Sequence, residues 1–232
     1  MTCKIAISCR VIDASSYVER RDAIAKDWCD LFNEMAWLPV IVPNHLTDAT
    51  QLLEVIGVDG LILSGGNTLG SIAEPRAPGT VLEREKTEKQ LLTYAVDKNL
   101  PVLGVCRGLQ VINQFFGGDH TLRICSDAGH VGCTHTVKLK REVWTGLDED
   151  GAIEVNSFHD DGVLPEQVAP DLEIFATSSD GVFVEGLIHK DKPIIAVQWH
   201  PERSNPSSTV DRKLLRSLFE APKGLNEKSV RR

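Results

Sequence analysis

The sequence predicts an open, doubly wound α/β sheet, mostly parallel, with antiparallel strands added in its C-terminal half. Three observations carry this reading. Short apolar runs without polar alternation recur between stretches of helical periodicity, as expected of strands covered on both faces. Two of these runs stop at a residue able to do chemistry, residues 100–105 at Cys106 and residues 194–199 at His200. From residue 134 the rhythm changes to short alternating segments, the pattern of antiparallel strands with one face exposed.

The elements follow in chain order. Residues 5–8 read as a first strand, and Ile24, Trp28, Leu31, Phe32 and Met35 recur at helical spacing. Between them, residues 13–22 carry Asp13, Tyr17, Arg20, Arg21 and Asp22 and read ambiguously, a solvated helix start being the plain case. Residues 38–43 and 59–63 are further strands, the latter ending in Ser64-Gly65-Gly66-Asn67. Taken alone, Ser64-Gly65-Gly66 is a glycine turn. Residues 67–80 hold Gly70, Pro75, Pro78 and Gly79 and are long for a βα connection, which suggests a lid. Arg76 on it would either reach an anionic substrate or stay in solvent. Leu82, Leu91, Leu92, Ala95 and Val96 signal a helix, the strand 100–105 follows, and a second helix begins just past Cys106. Short strands are expected at 134–139, 153–155, 172–176 and 182–185, then a last helix at 210–219 and a loose polar tail at 221–232. Residues 1–220 are expected to form one domain.

Composition narrows the partners. The chain has 232 residues, 42% of them hydrophobic, enough for a sizeable core. Thirty-three acidic against 25 basic residues give a formal charge of -8, so nothing resembles a footprint for nucleic acid or an anionic membrane. A small-molecule partner fits better. No apolar run approaches the roughly 20 residues of a membrane helix, and the start lacks a signal-peptide core, so a cytoplasmic protein is expected. Six irregularly spaced cysteines suit thiols in a reducing compartment.

The chemistry centres on Leu103-Gly104-Val105-Cys106-Arg107-Gly108-Leu109-Gln110. A cysteine on a strand-to-helix turn is lifted clear of the sheet, and the helix behind it aims free N–H groups and a positive dipole end at the thiol, favouring thiolate. A buried strand cysteine is the plain alternative, although Gly104 and Gly108 flank Cys106 where close backbone approach is needed. A nucleophilic thiol needs a base, and the base needs a third group to hold its tautomer. His200, with Glu202 two residues on, supplies both.

These two motifs together resemble the class I glutamine amidotransferase-like superfamily. Cys106-Arg107-Gly108 and Val155-Asn156-Ser157-Phe158-His159 resemble, more narrowly, its γ-glutamyl hydrolase branch, and the resemblance runs from about Ile5 to about Phe219. It implies a Cys106, His200 and Glu202 triad that cleaves a γ-glutamyl amide through a thioester. The backbone N–H groups of Gly66 and Arg107 would form the oxyanion hole. Gln110 would contact the glutamyl group, with Asn156, Ser157 and His159 on the other side of the pocket. Residues 16–23, Trp28, Ser64-Gly65-Gly66-Asn67 and Trp199-His200-Pro201-Glu202-Arg203 further resemble the enzymes that hydrolyse γ-glutamyl-CDP-amidate, whose product serves capsular phosphoramidate decoration. Thr68 departs from the aspartate usual there. The arginines near motif ends, Arg21, Arg76, Arg107 and Arg203, are candidates to bind an anionic leaving group or to pair with nearby acids. No cofactor is implied. The spacing of Cys125, His130, Cys133 and His135 matches no usual zinc pattern, so no metal is expected. A free-standing γ-glutamyl amide hydrolase, a γ-glutamyl-γ-aminobutyrate-type hydrolase, and a glutaminase subunit feeding ammonia to a synthetase partner all remain open, as does a homo-oligomer.

Overall fold

Strand and helix alternate through the first half of the chain. β1 (Lys4–Ser8) leads into a hairpin of β2 (Arg10–Asp13) and β3 (Arg20–Ala23), then α1 (Lys26–Met35), β4 (Leu38–Val42), α2 (Thr50–Ile56), β5 (Gly60–Leu63), α3 (Leu82–Lys98), β6 (Val102–Val105) and α4 (Arg107–Phe115). Strands dominate the second half: β7 (Val131–Leu139), β8 (Ala152–Phe158), β9 (Leu172–Ser178), β10 (Val184–His189) and β11 (Ile194–Val197), closed by α5 (Ser208–Phe219). The structure, a computed structural model, describes residues 2–123, 131–140 and 151–220. The expected tail at 221–232 lies outside the described residues.

Nine strands form one sheet in the order β4-β1-β5-β6-β11-β10-β9-β7-β8. The first five in that order run parallel, with Ile5 opposite both Pro39 and Gly60, Leu103 opposite Ile62 and Ile195 opposite Leu103. From β11 outward every pairing is antiparallel. The chain leaves β1 to one side for β4 and returns on the other for β5, so the connections diverge between β1 and β5. In open α/β sheets a crevice opens beyond the carboxyl ends of the strands at such a switch. Arg10, residues 64–67, Cys106 and His200 all follow the ends of the central strands.

Alternation along the buried strands sends side chains to opposite faces. Ile5, Ile7, Ile62, Leu103, Val105, Ile195 and Val197 face α1 and α5, while Ala6, Leu61, Leu63, Val102 and Ala196 face the layer of α2, α3 and α4. α1 buries Trp28, Leu31, Phe32 and Met35 at helical spacing and stops at Ala36, whose left-handed φ of 55° closes the helix. Burial of each such side chain is worth about 1.5–3 kcal/mol. Trp37 then packs edge-on against Phe32 and Phe219, which ties α1 to α5.

The structure departs from the sequence expectations in several places. Residues 10–23 form the β2–β3 hairpin, not the start of a helix, because Asn67 pairs with the Val11 backbone through both side-chain atoms and holds β2 extended. Residues 67–80 are anchored at several points, with Thr68 bridging Thr80, Leu69 and Ala77 buried and Gln114 Nε2 donating to the Gly70 carbonyl at 2.8 Å, while Ile72, Pro75, Arg76 and Pro78 are exposed. The helix α2 is absent from the sequence reading, since it buries only Leu53 and seven residues carry little periodicity. β7 starts three residues before the expected 134–139, and β10 at 184–189 lies later than the expected 182–185.

Where α4 crosses the end of β5, a Cβ on Gly108 would lie 2.2 Å from the Leu63 carbonyl oxygen. Gly108→Ala is therefore expected to destabilise the fold by about 1–3 kcal/mol through backbone displacement. Urea denaturation reads this directly, and an unchanged midpoint contradicts it.

Candidate active site

Cys106 sits between β6 and α4 with φ 54° and ψ -108°, a conformation L-residues rarely adopt. Neighbouring backbone holds it there. Its N–H donates to the Val197 carbonyl at 2.8 Å, and its carbonyl accepts from Leu109 N–H at 3.0 Å as the first bond of α4. The turn closes because Gly104 and Gly108 are bare: a Cβ on Gly104 would lie 2.7 Å from the Gly108 carbonyl oxygen. The thiol is thus buried at the N-terminus of a helix whose dipole favours negative charge.

His200 follows β11 and is fixed at both ends. Its Nδ1 lies 2.7 Å from Glu202 Oε1, its N–H donates to Asn156 Oδ1 at 2.9 Å, and its carbonyl accepts from Asn156 Nδ2 at 2.8 Å. The imidazole lies beside Cys106, where a Cβ on Gly65 would touch both residues, and Phe158 packs edge-on with ring centres 5.7 Å apart. Burial alone would push the imidazole pKa down. The Cys106 sulfur and the Glu202 carboxylate outweigh it and raise the value to about 9. An imidazole held in this way is an imidazolium at neutral pH. Trp199 Nε1 donates to Asp211 Oδ1 at 2.8 Å and so anchors this loop to α5.

The turn after β5 completes the wall. A Cβ on Gly65 would lie 2.9 Å from His200 Cε1 and 3.4 Å from Cys106 Cβ, so only glycine leaves the two side chains room to meet. Arg84 on α3 grips this turn from behind, donating to the carbonyls of Ser64 at 2.5 Å, Gly65 at 3.2 Å and Gly66. A trans peptide points C=O and N–H in opposite directions. Holding the Gly65 carbonyl toward α3 therefore turns the Gly66 N–H away from it, to the side where Gly66 borders the Cys106 cavity. Arg84 is positioned in turn by Glu88, one carboxylate oxygen of which accepts from Arg84 Nε and Ser8 Oγ at 2.9 Å each, while the other accepts from Arg107.

The cavity measures about 590 Å³, and Cys106, Gly66, Arg107, Gln110, His159, His200 and Arg203 among the expected residues border it. Glu202 lies behind His200. Asn156 and Ser157 do not border the cavity: Asn156 clamps the His200 backbone, and Ser157 is buried opposite Cys133 in the β7–β8 pairing. His159 hydrogen-bonds the Asp161 carbonyl at 3.1 Å and approaches Glu185, a fully buried carboxylate that also lies 3.3 Å from His135. Arg21 is corrected. It borders a separate pocket with Asp22 and His45, and its guanidinium binds Tyr17 and, at 2.5 Å, Glu19. Arg76 is exposed and does not border the cavity. The Arg107 side chain is engaged by Glu88, which leaves its backbone N–H at the helix start.

Sequence reasoning missed Arg10, Arg84, Glu88 and Glu185, and it named Asn67 and Gln198 within motifs without giving them a role; Gln198 Nε2 lies 3.8 Å from Cys106 Sγ. For Arg84 and Glu88 a signal existed. They fall in helical register with Leu91, Leu92 and Ala95, so they occupy the buried stripe of α3, where an i,i+4 ion pair cannot be a solvated one. Among the described residues no group of three or more His, Cys, Asp or Glu could hold a metal ion. Cys125 and His130 lie outside the described residues.

The peptidase C26 family profile matches residues 5–202. A Schizosaccharomyces pombe protein assigned as a glutamine amidotransferase is 36% identical over 161 residues, 62% of each chain, so this chain spans under two-thirds of that relative's length. The gamma-glutamyl-CDP-amidate hydrolase of Campylobacter jejuni is 29% identical over 220 residues, 93% of this chain and 96% of the other. A solved Thermoplasma acidophilum structure, assigned as a GMP synthase subunit, matches with a TM-score of 0.67 and 25% identity over 95% of this chain and 94% of that one.

Burial alone would raise the Glu88 pKa, but Arg107 and Arg84 outweigh it and hold the carboxyl below its usual range. A depressed carboxylate stabilises the fold above its unfolded pKa and loses that stabilisation as pH falls through its folded value. Glu88→Gln leaves two buried guanidinium groups without a counter-charge and is expected to cost about 3–5 kcal/mol. It should also flatten the acid limb of stability against pH, which denaturation at pH 7 and pH 4 would reveal.

Proposed function

The chain belongs to the peptidase C26 family, and from that premise we propose that it hydrolyses γ-glutamyl amides with Cys106 as nucleophile, His200 as acid and base, and Glu202 as the group that orients His200. The observation that carries this reading is the Cys106–His200–Glu202 contact chain at the carboxyl ends of β6 and β11. In the first half-reaction the Cys106 sulfur bonds to the γ-carbonyl carbon. The carbon–nitrogen bond breaks, and the His200 imidazolium gives its proton to the departing nitrogen. In the second, His200 takes a proton from water, whose oxygen attacks the thioester, and glutamate leaves as the thiolate re-forms. The oxyanion of each tetrahedral step would lie between the backbone N–H groups of Gly66 and Arg107. Donors of this kind contribute about 3–4 kcal/mol each. Gln110 and His159 border the cavity and serve the glutamyl group in this reading.

The leaving group is the finer question. Similarity over nearly the full length of both chains to a gamma-glutamyl-CDP-amidate hydrolase favours a nucleotide amidate. Similarity to a protein assigned as a GMP synthase subunit supports a second reading, a glutaminase subunit that passes ammonia to a synthetase partner. Comparing kcat/KM for γ-glutamyl-CDP-amidate, γ-glutamyl-γ-aminobutyrate and glutamine separates them. A glutaminase subunit prefers glutamine, shows weak activity alone and co-purifies with a larger partner.

Cys106→Ala is expected to abolish hydrolysis, with an electrophilic glutamine analogue labelling Cys106 alone among the six cysteines. His200→Ala should lower kcat by about three orders of magnitude or more and Glu202→Gln by less, because Glu202 orients without transferring a proton. Mass spectrometry showing the label on another cysteine, or a His200→Ala variant at the wild-type rate, removes the triad. With the His200 value raised to about 9, kcat/KM should fall as pH rises through that value, when the imidazolium acid is lost. Alkylation of Cys106 by iodoacetamide needs no acid and should show no such fall.

A further inference from the structure

Arg10 opens β2, two residues past the end of β1, at the sheet's switch point. Its guanidinium lies against the face of Gly66: a Cβ there would meet Arg10 Cζ at 2.9 Å, Nε at 3.0 Å and Nη1 at 3.3 Å. It borders the same cavity as Cys106. Asn67 fixes its place, since both side-chain atoms bond the backbone of Val11, the next residue, at 2.8 Å. Arg10 Nε is nonetheless buried without a hydrogen-bond partner, and among the described residues no carboxylate lies within ion-pair distance of the group.

The other guanidinium groups around the cavity are committed. Arg107 pairs with Glu88, Arg123 lies 2.9 Å from Glu74, and Arg203 stacks 4.3 Å over Phe158 with Glu202 at 3.7 Å. A desolvated donor on a fixed cation is unfavourable until an anion meets it, and a guanidinium offers its fork to carboxylate or phosphate. Position chooses between these. Gln110, one turn into α4, lines the cavity and donates to the Asp161 carbonyl, and in the hydrolase reading it serves the glutamyl chain. Arg10 lies beside Gly66, the proposed oxyanion donor, hence close to the scissile bond. A phosphoryl group bonded to the leaving nitrogen comes that close; a carboxylate at the far end of the glutamyl chain does not.

We infer that Arg10 binds an anionic phosphoryl group carried on the leaving nitrogen and so sets the specificity of the site for γ-glutamyl phosphoramidates. This rests on the γ-glutamyl hydrolase reading above and deepens it. The contact holds the leaving group in line for attack and leaves the departing nitrogen open to His200.

The test compares γ-glutamyl-CDP-amidate with γ-glutamyl-p-nitroanilide, which has the same glutamyl group and a neutral leaving group. Arg10→Gln should lower the ratio of their kcat/KM values by about 30-fold, the range of one charged hydrogen-bonded contact. Arg10→Lys, which keeps the charge and loses the fork, should fall between and replaces Arg10→Gln if that variant does not fold. Pyrophosphate should inhibit the wild type and lose affinity in the variant, while inhibition by glutamate does not weaken. An unmoved ratio overturns the role of Arg10 and leaves the hydrolase reading intact. Weakened glutamate inhibition with equal loss on both substrates assigns Arg10 to the α-carboxylate and likewise overturns it. A wild type that cleaves neither substrate and takes no label at Cys106 removes the hydrolase reading, and this inference with it.

Discussion

Glu88 holds the candidate site together. A carboxylate wholly removed from water is tolerated only when opposite charges and hydrogen bonds meet it, and Glu88 meets three elements at once. Ser8 at the end of β1, Arg84 within α3 and Arg107 at the start of α4 all converge on its two oxygens. Ser8 also joins the turn after β5, accepting from Ser64 N–H at 3.1 Å and receiving the Ser64 hydroxyl on its carbonyl at 2.7 Å. The strand ends on either side of the switch point are thereby locked to the helix that carries the nucleophile.

That lock explains how strain at Cys106 is sustained. A non-glycine residue at positive φ is unfavourable by about 1–3 kcal/mol and persists only where its surroundings over-determine it. Here the N–H is tied to Val197 on the neighbouring strand, the following residue is tied to Glu88, and bare glycines at 104 and 108 let the turn close. Loosening any of these would let the thiol relax toward the sheet. The other side of the site is over-determined differently, by an amide: Asn156 from the antiparallel half grips both backbone polar groups of His200. The antiparallel extension thus positions the base and does more than widen the sheet.

Electrostatics divide the site into two regions. Around His200 the charges balance, with Glu202 on one ring nitrogen and the Cys106 sulfur acting on the other side. Around the Ser64-Gly65-Gly66-Asn67 turn they do not: Arg84 and Arg107 share the buried carboxylate of Glu88, and Arg10 lies against Gly66 on the cavity side. In a chain with formal charge -8 that local excess of positive charge stands out. It lies where negative charge develops on a carbonyl oxygen and where an anionic leaving group would sit.

The sequence by itself determined the sheet class, the strands β1, β4, β5, β6 and β11 with the helices α1, α3, α4 and α5, and the residues at the ends of β6 and β11. These are local properties: apolar runs, helical spacing and two short motifs report strands, helices and strand ends without knowledge of distant neighbours. Tertiary structure alone decided what meets at the site. Asn156 and Ser157 carry a motif in sequence, yet pairing with β7 and approach to His200 turn them away from the cavity. Arg21 and Arg10 look alike in sequence, but only Arg10 reaches the cavity, because the β2–β3 hairpin points Arg21 into a separate pocket while Asn67 holds β2 so that Arg10 lies over Gly66. The physical reason is range. Hydrophobic periodicity is written within a few residues, whereas the partner of a buried charge is fixed by contacts across dozens of positions, such as the 80 that separate Ser8 from Glu88.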